Sequence, residues 1–296
     1  MHGGCSSPVL EARRLWKRFK ATIALADVSM CVGPGLTLVV GPNGSGKSTL
    51  LSIAAGFLRP TRGGISVLGI DPFKGEDRLR ELVLYSTDPP QLPAFSTVAE
   101  LASNATLVEA IDPGLFTENL KMVGLRGHEH KRVRELSSGL RKKVSISFAL
   151  SSRRSKLVLL DEPFANLDWR SIAAVVDLIR SVIRRGVSVV IATHIIPPGL
   201  PEPDNIVVLV AGRAEIAGPA VEVASNMKAL KVEIQGSAHE WLPKLAREGL
   251  WVEHRGGSIT VRGLSLEHAT SMAETIGGSI RLDLEALMRK VLEGPL

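Results

Sequence analysis

At 296 residues, 45% of them hydrophobic and 22% charged, the chain is long enough for one large core plus a smaller appended domain, and its composition is that of a soluble globular protein. A net charge of +6 and a pI near 9.5 suit nucleic acid, an anionic membrane surface or a phosphate ligand, and select none of them. One Tyr, seven Phe and no basic run interleaved with aromatics leave a base-stacking surface unsupported, so no nucleic-acid partner is expected.

The N-terminal stretch MHGGCSSPVLEARR lacks the apolar core of a secretory signal, which predicts a chain that stays in the cytoplasm. Cys5 and Cys31 suggest no disulfide framework and lack metal-ligand spacing. From Val9 to about Val40, VLEARRLWKRF, ALADVSMCV and LTLVV read as short strands broken by turns. STLLSIAAGF then carries apolar residues at helical spacing, so LTLVV-GPNGSGKST-LLSIAAGF predicts strand, loop, helix. Residues from about 98 to 135 read as mostly helical. A strand signal, KLVLLDEP, follows the helix RKKVSISFALSS, and another, VSVVIATH, follows the helix RSIAAVVDLIRSVIRRG. Apolar strands separated by amphipathic helices predict an α/β fold with a buried, largely parallel sheet. The clearest apolar runs, Leu157–Leu160, Val189–Ala192 and Ile206–Ala211, fall far short of the roughly 20 residues that cross a bilayer, so no transmembrane helix is predicted.

After Ala217-Gly218-Pro219 the character changes. LKVEIQG, a helix to about Gly249, LWVEHRGG, SITVRG, the helix LSLEHATSMAETIGG, SIRLDLE and a last helix ALMRKVLEG give β-α-β-β-α-β, a ferredoxin-like order predicted for residues 228–296.

Gly41-Pro42-Asn43-Gly44-Ser45-Gly46-Lys47-Ser48, followed by Thr49, fits G-x-x-x-x-G-K-[ST] in the strand-loop-helix context that this motif needs. Its glycines let backbone N–H groups curl around a phosphate at a positive helix N-terminus. Lys47 is placed to reach the β- and γ-phosphates of a bound nucleotide, and the Ser48 hydroxyl to bind Mg²⁺. Leu157-Val158-Leu159-Leu160-Asp161-Glu162 is an apolar strand ending in two carboxylates, in which Asp161 suits Mg²⁺ and Glu162 suits polarising the attacking water. These two motifs specify a P-loop nucleotidase and leave kinase and GTPase open.

Leu136-Ser137-Ser138-Gly139-Leu140, followed by RKKVSISFAL and standing shortly before Asp161, resembles the LSGGQ signature of the ATP-binding-cassette (ABC) family. The resemblance covers about residues 8–220. It implies a cassette with a parallel-sheet core, an antiparallel β subdomain and a helical signature subdomain at about 98–152, followed by a small α+β C-terminal domain. In that family the signature Ser and Gly bind the γ-phosphate of ATP held by the opposite subunit, roles that fall here to Ser137 and Gly139. Phe19 occupies the place of the aromatic that stacks on adenine. Ala165-Asn166-Leu167-Asp168 resembles the D-loop, whose Asp helps align two subunits, and His194, after VVIAT, resembles the switch histidine that contacts the γ-phosphate.

Two departures stand out. Aligning STVAEL with the run that follows the family's Q-loop puts Asp88 where a Gln normally ligates Mg²⁺ and couples to the membrane partner, with Gln91 three residues later as the alternative ligand. In the signature, Ser138 replaces the first Gly and Leu140 the final Gln. The clusters Lys131-Arg132, Arg134, Arg141-Lys142-Lys143 and Arg153-Arg154 flank it and read mostly as a solvated face.

The resemblance implies an ATPase that closes as a sandwich dimer, with a second copy or a homologous cassette, over ATP and Mg²⁺. It further implies a separate membrane permease that keeps the chain peripheral on the inner face of the cell membrane. The C-terminal segment loosely resembles the extension of drug- and polysaccharide-exporter ATPases, which tilts the expectation toward export. The rival classes are a non-transport cassette ATPase acting on DNA, ribosomes or cluster assembly, and a degenerate cassette that only binds ATP; Glu162 and His194 speak against the second.

Overall fold

In the computed structural model, residues 7–74, 76–105, 111–235, 251–255, 258–276 and 278–293 are described. The chain divides into two compact units, Met1–Ala217 and Gly218–Leu296.

The first unit holds two sheets. Strands β1 (Leu10–Phe19), β2 (Thr22–Val32) and β4 (Arg62–Val67) form an antiparallel sheet in the order β2-β1-β4. Strands β3 (Leu36–Val40), β5 (Val83–Ser86), β6 (Leu157–Asp161), β7 (Ser188–Thr193), β8 (Asn205–Val210) and β9 (Arg213–Pro219) form a six-stranded sheet ordered β5-β6-β7-β3-β8-β9. Its β5-β6, β6-β7, β7-β3 and β3-β8 pairs are parallel. Every residue of β3, β6 and β7 is buried, which is why these segments read as continuous apolar runs without alternation. Helix α1 (Lys47–Ala54) packs Leu50, Leu51 and Ile53 into the core formed by Leu10, Leu15, Val39, Leu157 and Val190. Each fully buried aliphatic side chain there contributes roughly 1.5–3 kcal/mol.

Between β4 and β6 lie α2 (Glu76–Arg80), α3 (Val98–Ala105), α4 (Pro113–Met122) and α5 (Ser138–Ala149). Phe116 of α4 meets Phe148 of α5 edge to face at 5.6 Å. Asp112 caps α4 by accepting from the Leu115 N–H at 2.8 Å. Helix α6 (Trp169–Arg184) buries Val175, Leu178, Ile179 and Val182 along one face and leads into β7.

The second unit contains α7 (Ala220–Asn226) and an antiparallel sheet of β10 (Leu230–Gln235), β11 (Trp251–Arg255), β12 (Ser258–Leu264) and β13 (Ser279–Leu282), ordered β11-β12-β10-β13. Helices α8 (Leu266–Ile276) and α9 (Leu284–Glu293) complete this small α+β unit. The predicted helix reaching Gly249 falls outside the described residues. Among the described residues no helix is long and apolar enough to cross a membrane.

One expectation fails. Cys31 on β2 is disulfide-bonded, although the cysteine count suggested no such bond. Two cysteines far from any spacing motif give no cue to their pairing, and Cys5 lies outside the described residues.

Candidate active site

Three parallel strands end side by side. β3 runs into Gly41, β6 ends at Asp161 with Glu162 next, and β7 ends at Thr193 with His194 next. The register pairs Val40 with Thr193 and Asp161 with Ala192, so all three carry their chemistry to the carboxyl edge of the sheet, where open α/β sheets take ligands.

The glycine loop is built on close backbone approach. A Cβ on Gly41 would lie 2.0 Å from the Leu209 carbonyl oxygen, and one on Gly46, whose φ is +102°, would lie 2.5 Å from that of Ala24. Helix α1 starts directly after Gly46 with no side-chain cap and no acidic residue in its first turn, leaving its positive end open to an anion. Lys47 is buried beneath the loop and donates to the Gly41 and Pro42 carbonyls at 2.9 and 3.1 Å. Asn43, Gly44 and Ser48 are exposed, Thr49 is half-buried, and the buried Ser45 hydroxyl has no hydrogen-bond partner.

Glu162 is the hub of the site. Its Oε1 is 3.6 Å from the Lys47 ammonium and its Oε2 is 2.9 Å from His194 Nδ1. Its main-chain N–H donates to Ala192 on β7 at 2.8 Å, and its φ of +44° is a left-handed conformation unusual for a residue with a Cβ. Facing a carboxylate, Nδ1 of His194 is the donor in this contact.

Burial is the main force that pushes the Asp161 carboxyl up to about 6, with the charges of Glu162 and Asp88 adding to it and the Ser48 hydroxyl and Lys47 opposing it. Burial also raises the Tyr85 phenol, followed by the nearby Asp161 charge. Tyr85 donates to Asp161 Oδ2 at 3.4 Å and lies 3.2 Å from the Ser52 hydroxyl. Asp161 Oδ1 is buried and without a hydrogen-bond partner. That unpartnered oxygen and the Ser48 hydroxyl beside it are hard donors of the kind Mg²⁺ takes. Among the described residues no group of three or more His, Cys, Asp or Glu side chains could hold a metal, so a cation here would draw its remaining ligands from phosphate and water.

The other predicted residues lie elsewhere on the unit. Phe19 ends β1 partly exposed, with the Lys17 ammonium 5.0 Å above its ring. Ser137 is the exposed N-cap of α5, accepting from the Leu140 N–H at 3.3 Å, and a Cβ on Gly139 would come within 3.3 Å of the Asn166 carbonyl. Asp168 is the N-cap of α6. It accepts from the Ser171 N–H at 2.9 Å and the Ser171 hydroxyl at 2.7 Å, so both of its oxygens are engaged within its own chain. Asp88 is held in an ion pair, its Oδ1 2.9 Å from the Lys142 ammonium, while the Gln91 N–H donates to the Thr87 hydroxyl at 3.2 Å.

Lys142 is the exception to the mostly solvated reading of its basic cluster. It is only 4% exposed and also donates to the Glu162 main-chain oxygen at 2.9 Å. Neither it nor Tyr85 was singled out from the sequence. A groove of about 850 Å³ opens nearby, lined in part by Phe57, Tyr85, Gln91, Pro93, Leu101 and Phe148. Phe57 is 74% exposed at its rim.

A family model described as "ABC transporter" matches residues 25–165. An ABC transporter ATP-binding protein of Pyrococcus furiosus is 33% identical over 223 residues, covering 73% of this chain and 82% of its own. The sulfate/thiosulfate import ATP-binding protein of Chromobacterium violaceum is 32% identical over 280 residues, 92% of this chain and 74% of its own. Among solved structures, an ATP-binding subunit of an ABC transporter superposes with a TM-score of 0.65 at 26% identity, covering 74% of this chain and 92% of its own. A dimeric ATP-binding cassette in a post-hydrolysis state with ADP and phosphate shares the fold at a TM-score of 0.62 and 23% identity, covering 71% of this chain and 98% of its own.

Proposed function

The chain belongs to the ABC transporter family as one of its ATP-binding subunits, an ATPase, and on that premise we propose that it hydrolyses Mg²⁺-ATP with Glu162 in a dimer that drives a separate membrane permease. The observation that carries this reading is the Glu162 carboxylate held between Lys47 and His194, beside an Asp161 oxygen with no partner. Glu162 takes a proton from the attacking water, and His194 fixes its orientation through Nδ1 and turns Nε2 toward the γ-phosphate. Lys47, whose charge Glu162 offsets in the absence of nucleotide, stabilises the phosphates when ATP enters the loop. Asp161 and Ser48 would hold Mg²⁺, which would there neutralise part of the phosphate charge.

Gly41, Pro42, Asn43, Gly44, Ser45, Gly46 and Thr49 form the phosphate cradle of one copy, and Phe19 meets its adenine. Ser137 and Gly139 of the other copy close over the γ-phosphate, so each monomer owns half of two sites. Asp168 shapes the facing surface by capping α6. The permease seats in the groove beside Phe57 and Gln91, which keeps the chain peripheral on the cytoplasmic face of the membrane. We read the region 228–296 as a ferredoxin-like accessory domain from the order β11-β12-β10-β13 of its described strands.

For direction, the C-terminal domain supports export. Import is a second reading, favoured by the sulfate/thiosulfate, nitrate and taurine import proteins among the relatives. The first of these aligns over 92% of this chain, so the similarity to an import protein extends past the cassette.

The test is turnover and assembly of the purified full-length chain. Lys47→Ala should abolish ATP hydrolysis, and Glu162→Gln should convert a monomer to a dimer on adding ATP in light scattering. Turnover that survives Lys47→Ala, or a Glu162→Gln protein that stays monomeric in ATP, would refute the reading. With the permease in sealed vesicles, the side on which substrate accumulates decides direction.

A further inference from the structure

Glu162 needs its backbone held, because its φ of +44° is one that L residues rarely adopt. Its N–H is fixed by Ala192 and its carbonyl oxygen by two donors, the Ala165 N–H at 3.3 Å and the Lys142 ammonium at 2.9 Å. Lys142 comes from α5, the helix that the signature begins, and reaches Glu162 from outside the β6-to-α6 segment. A buried ammonium needs a counter-charge, and Asp88 supplies it at 2.9 Å. Its neighbours on α5 do other things: Arg141 donates to the Leu136 carbonyl at 2.7 Å and Lys143 to the Ser171 hydroxyl at 3.4 Å. Of the three consecutive basic residues, only Lys142 is shared between the loop after β5 and the backbone of Glu162.

We propose that Lys142 is a positioning residue for hydrolysis, fixing the left-handed backbone that aims Glu162 at Lys47 and His194, and that Asp88 acts through Lys142 as its counter-ion. This rests on Glu162 being the base. Replacing Lys142 leaves the phosphate loop and its helix N-terminus untouched, so the loss should fall on the chemical step and not on nucleotide binding. A generic packing role would instead lower stability and leave the kinetics of the folded fraction unchanged.

The experiment is steady-state ATP hydrolysis by the purified full-length chain. Lys142→Met should lower kcat at least tenfold with the KM for ATP within twofold of wild type, and Lys142→Arg should recover kcat to within about threefold. Asp88→Asn should lower kcat less, and Asp88→Asn with Lys142→Met should be no worse than Lys142→Met alone, because both act through one contact. A Lys142→Met kcat within twofold of wild type, a rise in KM at unchanged kcat, or losses that multiply in the double variant would each overturn the proposal. Should Lys142→Met fail to fold, Lys142→Gln is judged by the same criteria. Glu162→Gln, run in parallel, separates the two readings. If it retains turnover, the assignment of the base falls; if it is inactive while Lys142→Met is fully active, only the positioning role falls.

Discussion

Replacing Asp161 with Asn probes the electrostatics of the site without any nucleotide. Burial, with Glu162 and Asp88 adding to it, raises this carboxyl from 3.8 to about 6. A rise of that size means that keeping the group ionised in the folded chain costs roughly 3 kcal/mol relative to the unfolded chain. The raised value means that between about pH 4 and pH 6 the folded chain binds more protons than the unfolded one. Stability from this group is therefore greatest below the unfolded pKa, falls as pH rises through the window, and levels off above about 6. Asn has nearly the same shape and no charge at any pH. Asp161→Asn should then stabilise the nucleotide-free protein by about 1–3 kcal/mol at pH 8, with the gain fading toward pH 4.5.

The assay is thermal unfolding of wild type and variant in EDTA at pH 4.5, 6 and 8. At about 2–4 °C per kcal/mol for a unit of this size, the midpoint at pH 8 should rise by roughly 2–12 °C. Groups that titrate alike in both proteins cancel in the difference. The same variant should gain little thermal protection from Mg²⁺-ATP. A variant no more stable than wild type at pH 8, or one equally stabilised at pH 4.5 and pH 8, would show that Asp161 is not held ionised against its surroundings.

Other perturbations reach the remaining parts. Gly46→Ala places a Cβ 2.5 Å from the Ala24 oxygen at a φ of +102°, and should destabilise the protein by about 2 kcal/mol or more in urea unfolding without ligand; an unchanged midpoint would contradict the close approach. His194→Ala removes the partner of Glu162 Oε2 and should lower kcat by roughly 10–100-fold, and equal turnover would remove His194 from the mechanism. Ser137→Ala deletes the cap of α5 at a cost of about 1 kcal/mol and should reduce turnover while leaving ATP binding to the monomer intact in equilibrium dialysis. In the second unit, Arg262→Met leaves the 2%-exposed Asp283 without its guanidinium partner at 2.6 Å. It should lower that unit's stability by about 1–3 kcal/mol by hydrogen exchange, and unchanged protection of α9 would refute the ion pair's role.

The central sheet was legible because its middle strands are buried on both faces. LTLVV, LVLLD and VVIAT have no polar alternation to blur them, and each runs into a chemically loaded residue at its carboxyl end. Strands β4 and β5 were not legible. Arg62-Gly63-Gly64 opens β4 with exposed, side-chain-poor residues, and β5 is four residues at the sheet edge. Both exist because β1 and β6 offer them partners distant in sequence, a non-local pairing that local pattern does not encode.

Within the site, legibility followed how local the chemistry is. Lys47 with its loop, and Asp161 with Glu162, declare themselves because a phosphate cradle and a strand end are each made by a few adjacent residues. His194, 32 residues from Glu162, needed the family resemblance to be picked out, and the 2.9 Å contact supplies the reason for its position. Lys142 was not told apart from its neighbours because three basic residues in a row look alike in text, while successive helical residues point about 100° apart and only one can face inward. Asp88 had looked like an isolated departure, an acid where a Gln was expected. Paired with the buried Lys142 it is half of a charge-balanced contact, so removing either partner alone leaves the other charge uncompensated, and only the double variant distinguishes a shared link to Glu162 from two independent defects.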